Sequence, residues 1–539
     1  MKYLTLKNIN KNDVRLALVS GVLLGLSFPP FPFPYLMFAA LVPYFIVLNR
    51  REGLAEINRI TYFTFLIFSV ITLYWVGSWT KEADTFLMIS GAALMFFNPL
   101  LFLIPSTIYF IVKKHLDKKT ALMFFPFFWV TYEYLYSVTE FRFPWALAGN
   151  GLVKFQTYIQ AADIIGIYGL SLLILYFNVL LFLLLNEYFN SKRINKKLVT
   201  ILLMILILPI IYGSVKLREN YDSGRSLTAG LIQPNLNPWA KWDEGNLNEQ
   251  LDLYLNLSRK AVSEGGELIV WPESALPVYL LSGSYSEQVS RIHEFTDSAD
   301  VFLITGMPDV RFYDSASAPW DAKKSSTSGF YYTTYNSALL FNPRKREIQR
   351  YGKMKLVPFG EKVPYVDYIP FIGDLIKWNV GISSWNTGQD TVVFNLIKER
   401  DTIKTAALIC IESIYSDFAA QFVKKGAQFI TVITNDSWYG NSSGPYQHEE
   451  IGVLRAVENR KYVVRAANGG ISCFIDPNGR ILKETAMFER GYITGKIYLN
   501  DKRTFFTEYP LAVPFTSVII SICLIGFSLL KLTNKNKGN

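Results

Sequence analysis

The chain has 539 residues, half of them apolar and 15% aromatic, with only 18% charged. That balance points to a membrane protein rather than to a wholly soluble enzyme. A net charge of +10 would suit a nucleic-acid partner, but the basic residues sit where topology, not nucleic acid, explains them.

Apolar runs long enough for a bilayer, about 17–25 residues, recur along the first 220 positions at roughly 13–29, 34–49, 60–79, 86–112, 120–137, 163–188 and 198–215. An eighth covers about 511–530. The first two are short and separated by Pro29, Pro30, Pro32 and Pro34, so a re-entrant pair is the alternative to two spans. Lys2, Lys7, Lys11 and Arg15 flank the first run, and Arg50, Arg51 and Arg59 follow the second. Lys113, Lys114, Lys118 and Lys119 follow the fourth, Lys192, Arg193, Lys196 and Lys197 the sixth, and Lys531, Lys535 and Lys537 the eighth. The alternate short loops carry only Lys81, Arg142 and Lys154. Basic loops stay in the cytoplasm, which places both termini inside and the long segment 220–508 outside. The expected layout is a membrane domain at 1–219 with about seven spans, an extracytoplasmic domain at 220–508, and a final span with a short cytoplasmic tail at 509–539.

From residue 226 the pattern changes to short strands alternating with helices. "SLTAGLIQPN" (226–235) reads as a strand and 244–263 as an amphipathic helix. Strands follow at "ELIVW" (267–271), "VFLITG" (301–306), "NSALLFN" (336–342), "IQRYGKMKL" (348–356), "TIKTAALIC" (402–410) and "QFITVITND" (428–436), with a hairpin near 463–485. Such alternation predicts an α/β layered domain. The Ser/Thr/Tyr-rich stretch 313–335 reads as a loop, and the apolar stretch 364–388, with Trp378 and Trp385, as an arm that dips into the membrane interface and gates lipid access.

Reactive residues stand at the strand ends. Glu273 follows Pro272 on a turn, Lys353 lies in a strand before the Pro358–Gly360 turn to Glu361, and Cys410 ends its strand ahead of a helix at 414–425. A thiol beside an ammonium and at a helix N-terminus is expected to favour its thiolate. Glu273 would be the base and Lys353 the cation for a developing oxyanion. The bland readings are an inert core thiol, a turn carboxylate and a solvated lysine, and the ordered set of all three argues against them. Cys473 and Cys523 read as packing residues, and His448 as a helix-surface or supporting residue without a base or ligand role. Three cysteines make no disulfide framework, three scattered histidines make no metal site, and no phosphate-binding glycine loop occurs, so neither metal nor cofactor is expected.

W-P-E at 271–273, Y-x-K-x-x-L-V-P-F-G-E at 351–361, I-C-x-E at 409–412 and T-N-D-x-W-x-G at 434–440 resemble the signatures of the nitrilase superfamily. "KLVPFGE", the flanking spans, "FPPFPFPYL" (28–36), "ALVP" (40–43) and "FPWALAGN" (143–150) resemble one branch, the apolipoprotein N-acyltransferases. The resemblance implies a multi-pass helical membrane domain joined to an αββα sandwich. It implies catalytic Glu273, Lys353 and Cys410, with supporting or substrate-binding roles for Glu361, Glu412, Trp242, Asn435 and Trp438. The branch commonly has tyrosine after the nucleophile where this chain has Ile411, so a role for that ring does not carry over, although the residue-411 amide can still serve an oxyanion. The implied reaction moves a fatty acyl group from a phospholipid, through a cysteine thioester, to the α-amino group of a diacylglyceryl-modified apolipoprotein. The setting would be a bacterial inner membrane, with the catalytic domain facing the periplasm and the chain acting as a monomer. The alternative is a membrane-bound amidase that hydrolyses C–N bonds.

Overall fold

A computed structural model of the chain describes residues 10–81, 83–239, 247–325, 329–368, 385–398 and 401–537. It divides into two compact units. One comprises the described residues within Met1–Gly77, Met88–Glu219 and Tyr509–Asn539; the other comprises those within Ser78–Leu87 and Asn220–Glu508.

The first unit is helical. All eight apolar runs fall on helical segments, and five of these are long and apolar enough to cross a membrane by length and composition: Leu54–Gly77, Thr85–His115, Ala162–Ser191, Lys196–Lys216 and Ala512–Lys531. The helix Lys11–Leu26 is too short, and the second run is divided between a 3-10 turn at Pro34–Phe38 and a helix at Val42–Arg50. Lys118–Val138 is long enough, but Glu133 and its tyrosines lower its hydropathy. Ile211, Ile519, Ile522 and Leu530 project outward, as suits helices surrounded by lipid rather than water.

Backbone that leaves the helix must be hydrogen-bonded from within when water is excluded. The two proline-broken motifs meet that demand with buried side chains. Asn178 accepts from the Leu41 amide at 2.8 Å and donates to the Met37 carbonyl at 2.8 Å. Glu133 Oε1 accepts from the Ala148 amide at 2.7 Å and from Trp129 Nε1 at 3.0 Å. Each motif is therefore a fixed bend rather than a loose loop.

The second unit is a pair of sheets. One contains β1 (Ser226–Gln233), β2 (Leu268–Val270), β3 (Phe302–Tyr313), β4 (Lys323–Lys324), β5 (Tyr331–Phe341) and β6 (Gln349–Gly352). The other contains β7 (Val393–Lys398), β8 (Asp401–Ile409), β9 (Phe429–Thr434), β10 (Val463–Ala467), β11 (Cys473–Ile475) and β12 (Ile481–Glu484). β13 (Gly491–Tyr498) returns to pair antiparallel with β1. The orders are β13-β1-β2-β3-β5-β4, with β6 on β5, and β12-β11-β10-β9-β8-β7. β1, β2 and β3 run parallel, as do β8, β9 and β10. β2, β9 and β10 are buried throughout, which explains continuous apolar runs such as "LIV" instead of alternation.

Helices cover the outer faces. In Leu247–Ser263 the buried positions Leu251, Tyr254, Leu255, Ser258 and Ala261 recur at helical spacing and pack with Ile269, Trp271 and Leu303 of the first sheet. Burying each leucine contributes roughly 1.5–3 kcal/mol. Ser416–Lys424 and Ser443–Asn459 cover the second sheet. The arrangement is the expected αββα sandwich. Several elements differ from the sequence expectation: β7, β13 and the helix Ser286–Ala299 were not anticipated. Positions 313–335 are also not wholly a loop, because β3 and β5 extend into them as a long antiparallel ribbon carrying β4.

Candidate active site

Glu273, Lys353 and Cys410 each follow the end of a strand. β2 is followed by Trp271, whose amide donates to the Ile304 carbonyl at 2.8 Å and whose indole donates to Ser258 at 2.8 Å. Pro272 then stops the strand and Glu273 starts the turn. The turn lies directly on β3 at Gly306, where an added Cβ would sit 2.5 Å from the Glu273 Cα. Glycine is required there by contact, not by its dihedral.

Lys353 is the first residue beyond β6, not a strand residue as the sequence suggested. Its amide donates to the Asn336 carbonyl at 2.8 Å, and its own carbonyl accepts from Gly388 at 2.8 Å. Its ammonium lies 3.2 Å from Glu273 Oε1 and 2.9 Å from Glu361 Oε1, and it is only 1% exposed. Asn336, in the middle of β5, donates its amide to the same two oxygens at 2.7 and 2.9 Å. Two carboxylates can only accept, so the chemistry fixes which end of that amide faces them. Although burial opposes its charge, Glu273 and Glu361 hold the Lys353 ammonium well above the ordinary lysine range.

Cys410 follows β8 with a left-handed backbone, φ +51°, and opens a 3-10 turn at Cys410–Ile414. That conformation costs a non-glycine residue about 1–3 kcal/mol, so the surrounding bonds must impose it. Glu412 supplies several of them. It is fully buried and accepts from the Ile409 amide at 2.9 Å, the Met354 amide at 2.7 Å, the Lys355 amide at 3.2 Å and the Tyr351 hydroxyl at 2.6 Å. One carboxylate thus ties the cysteine turn to the lysine segment. Glu412→Ala would strand three backbone donors and a hydroxyl, at about 1–3 kcal/mol for each buried group left unpaired. A loss of at least ~3 kcal/mol in chemical denaturation is expected. A loss below ~1 kcal/mol would remove Glu412 from this bracing role.

The electrostatics correct one expectation. Burial pushes the Cys410 thiol up, Glu273 adds to the rise, and Lys353 offsets it only in part. Two carboxylates outweigh one ammonium, and the thiol begins a 3-10 turn instead of an α-helix, which starts only at Ser416. At rest Cys410 is therefore a neutral thiol, and Glu273 lines the same cavity.

Cys410, Glu273, Lys353, Glu361, Asn435 and Trp438 all line one cavity, together with Asn336. Its apolar walls are Leu87, Pro238, Trp239, Val357, Trp385 and Trp438. Trp239 meets Trp438 edge to face at 4.8 Å. Asp84 lies between the first and second long apolar helices in sequence and Leu87 in the first turn of the second, yet both belong to this unit. Asn336, Asp84 and Leu87 were missed, since nothing local distinguishes a strand asparagine or a loop aspartate. Trp242, residues 240–246 around it and residues 369–384 of the arm, including Trp378, lie outside the described residues. Trp385 was expected to be exposed, but it is buried in the cavity wall near Tyr279.

Residues 228–505 match the carbon-nitrogen hydrolase family, and residues 20–180 match the apolipoprotein N-acyltransferase N-terminal domain. An apolipoprotein N-acyltransferase of Chlorobaculum tepidum is 34% identical over 506 residues, covering 93% of each chain. One of Geobacter metallireducens is 32% identical over 509 residues, covering 93% of this chain and 92% of its own. Apolipoprotein N-acyltransferase 1 of Treponema denticola is 30% identical over 555 residues, covering 95% of each. This chain belongs to the apolipoprotein N-acyltransferase family. Membership joins the two units in one protein, since one match lies in the helical unit and the other spans the sandwich. The apolipoprotein N-acyltransferase relatives align over both, so the membrane half belongs to the family pattern as much as the cavity does.

Proposed function

We propose that this protein is a membrane-bound acyltransferase that moves a fatty acyl group from a phospholipid to the N-terminal amine of a diacylglyceryl-modified apolipoprotein. The observation that carries the reading is a single cavity in which a thiol, a carboxylate and an ammonium meet apolar walls. The Cys410 sulfur attacks the ester carbonyl while Glu273 takes the thiol proton. Negative charge grows on the carbonyl oxygen, where the Lys353 ammonium and the Ile411 amide stabilise it. Glu273 then gives its proton to the departing alkoxide, and a lysophospholipid leaves. A thioester remains on Cys410.

The acceptor amine attacks that thioester, Glu273 removes the amine proton, and Cys410 regains a proton as the amide product departs. Both substrates are held in lipid, so a shared bilayer raises their concentration at the site. Glu361 and Asn336 position Lys353 and Glu273, and Glu412 braces the two catalytic segments. Trp438 and the other apolar walls take the acyl chain, beside Asn435; Trp242 and the arm at 364–388 are assigned to substrate access.

Purified protein incubated with phospholipid and a diacylated lipopeptide should yield an N-acylated peptide and lysophospholipid. Free fatty acid without acylated peptide would overturn transfer and leave a hydrolase such as the amidase alternative.

The same reading places the helical unit in a bacterial inner membrane, with both termini in the cytoplasm and 220–508 outside. The supporting pattern is the alternation of lysine- and arginine-rich loops. A cysteine added after Asn539 should resist an impermeant maleimide in intact spheroplasts and react after lysis. Labelling in intact spheroplasts would reverse the topology.

A further inference from the structure

Behind the cysteine turn lies a buried ionic cluster that the proposed chemistry does not use. His448, on the helix Ser443–Asn459, was read as a helix-surface or supporting residue; it is 3% exposed and enclosed by Ser413, Asp436 and Arg465. On one side its Nε2 lies 2.8 Å from the Ser413 hydroxyl and 3.2 Å from the Cys410 carbonyl. On the other its Nδ1 lies 2.9 Å from Asp436 Oδ1.

Ser413 donates its hydroxyl hydrogen to the Cys410 carbonyl at 2.8 Å, so its oxygen remains an acceptor toward the imidazole. Arg465 bonds the second oxygen of Asp436 and lies 3.2 Å from Nδ1, so the ring and the guanidinium meet the same carboxylate. Although burial opposes its charge, Arg465 and His448 hold the Asp436 carboxyl well below the usual carboxylate range.

The two ends of this cluster reach the two halves of the cavity. At one end is the carbonyl of Cys410, whose φ of +51° aims the thiol. At the other, Asp436 accepts from Thr434 at 3.0 Å, within the segment that presents Asn435 and Trp438 to the cavity.

We propose that His448 is a positioning residue for the acyl-transfer chemistry, locking the backbone of the nucleophile at Nε2 and the facing cavity wall, through Asp436, at Nδ1. It touches no substrate atom. It fixes the distance between the thiol and the wall against which the acyl chain lies, and it holds the Ile411 amide toward the oxyanion. The inference rests on Cys410 being the nucleophile.

The test follows acyl loading on the full-length protein in phospholipid-containing detergent micelles, by the mass of the Cys410 peptide against time. His448→Leu should lower the loading rate constant about 100-fold, the scale of an ångström-sized misplacement, with the KM for phospholipid changed less than about threefold. His448→Gln keeps a polar group but cannot span both sides as the ring does, and should recover part of the loss, settling about 10-fold below the unsubstituted protein. A role confined to packing would reduce the fraction of protein that loads while leaving the rate constant of that fraction unchanged, and that result overturns the proposal. Should the leucine variant not fold, His448→Gln decides: slower loading at unchanged KM supports positioning, and an unchanged rate constant overturns it. If the unsubstituted protein forms no adduct on Cys410, the nucleophile reading fails and this inference fails with it. An adduct formed equally fast in all three proteins overturns the inference alone.

Discussion

Cys410→Ala should abolish acyl transfer and leave the fold almost intact. Removing one sulfur from a partly exposed position at a cavity edge costs about 1 kcal/mol. No other described group lining the cavity can carry the acyl chain as a thioester. Activity should fall to background, while the midpoint of thermal unfolding shifts by only a few degrees. Cys410→Ser should do little better, because a hydroxyl is harder to deprotonate and its ester slower to react with an amine. Given phospholipid and no acceptor, the unsubstituted protein should gain one fatty-acyl mass on the Cys410 peptide, released by hydroxylamine or by added lipopeptide. Transfer without that adduct would refute the covalent route. The raised thiol adds a pH signature. Because Glu273 and burial both disfavour the thiolate, the rate of iodoacetamide alkylation should be low at neutral pH and still rising above the ordinary thiol range near 8.5. A plateau below pH 7 would mean a thiolate at rest, contrary to this site.

Lys353→Met should both inactivate and destabilise, and the comparison with Glu273→Gln separates the two effects. Lys353 holds two carboxylates together in a buried site, with Glu273 at 3.2 Å and Glu361 at 2.9 Å. Without the ammonium the two facing oxygens share only the Asn336 amide, and breaking a buried pair from one side costs about 3–5 kcal/mol. Glu273→Gln is milder for the fold, since its amide oxygen still accepts from Asn336 and Lys353, but it removes the base. Acyl loading should drop by roughly 10²–10⁴-fold with a much smaller loss of stability than Lys353→Met produces. The double substitution should regain part of the stability lost by Lys353→Met, because one stranded charge is gone, and regain no activity. Unaltered loading in Glu273→Gln would remove the general base from the mechanism. A fully stable Lys353→Met would mean that the three charges do not form one coupled unit.

How much of this was legible beforehand depended on whether the signal was local. Hydropathy marks the apolar runs because span length and bilayer thickness are local requirements. The cysteine and glutamate strands stand out because a buried parallel strand is continuously apolar, so a reactive residue at its end breaks the pattern abruptly. Long-range pairing leaves no such trace. Asn336 lies within a strand that otherwise reads as packing, and its role exists only because β5 carries it to Glu273 and Glu361. β13 was missed because a strand of mixed burial has little pattern until it pairs with β1.

By itself the sequence determined the division into lipid-exposed helices and an α/β sandwich, and the identity of the three residues at the centre of the cavity. Both follow from residue type and local periodicity. Only the tertiary structure decided the charge balance, since the field at a thiol depends on burial and on the distance to every neighbouring charge. It buries the Cys410 thiol and brings Glu273 toward it, and so turns an expected thiolate into a neutral thiol. It also decided between the two readings of His448, burying it behind the cysteine turn, where Asp436 and the Cys410 carbonyl meet it from opposite sides. Spacing along the chain records neither contact, because each is made by elements that pack together only when the sheets and their covering helices close.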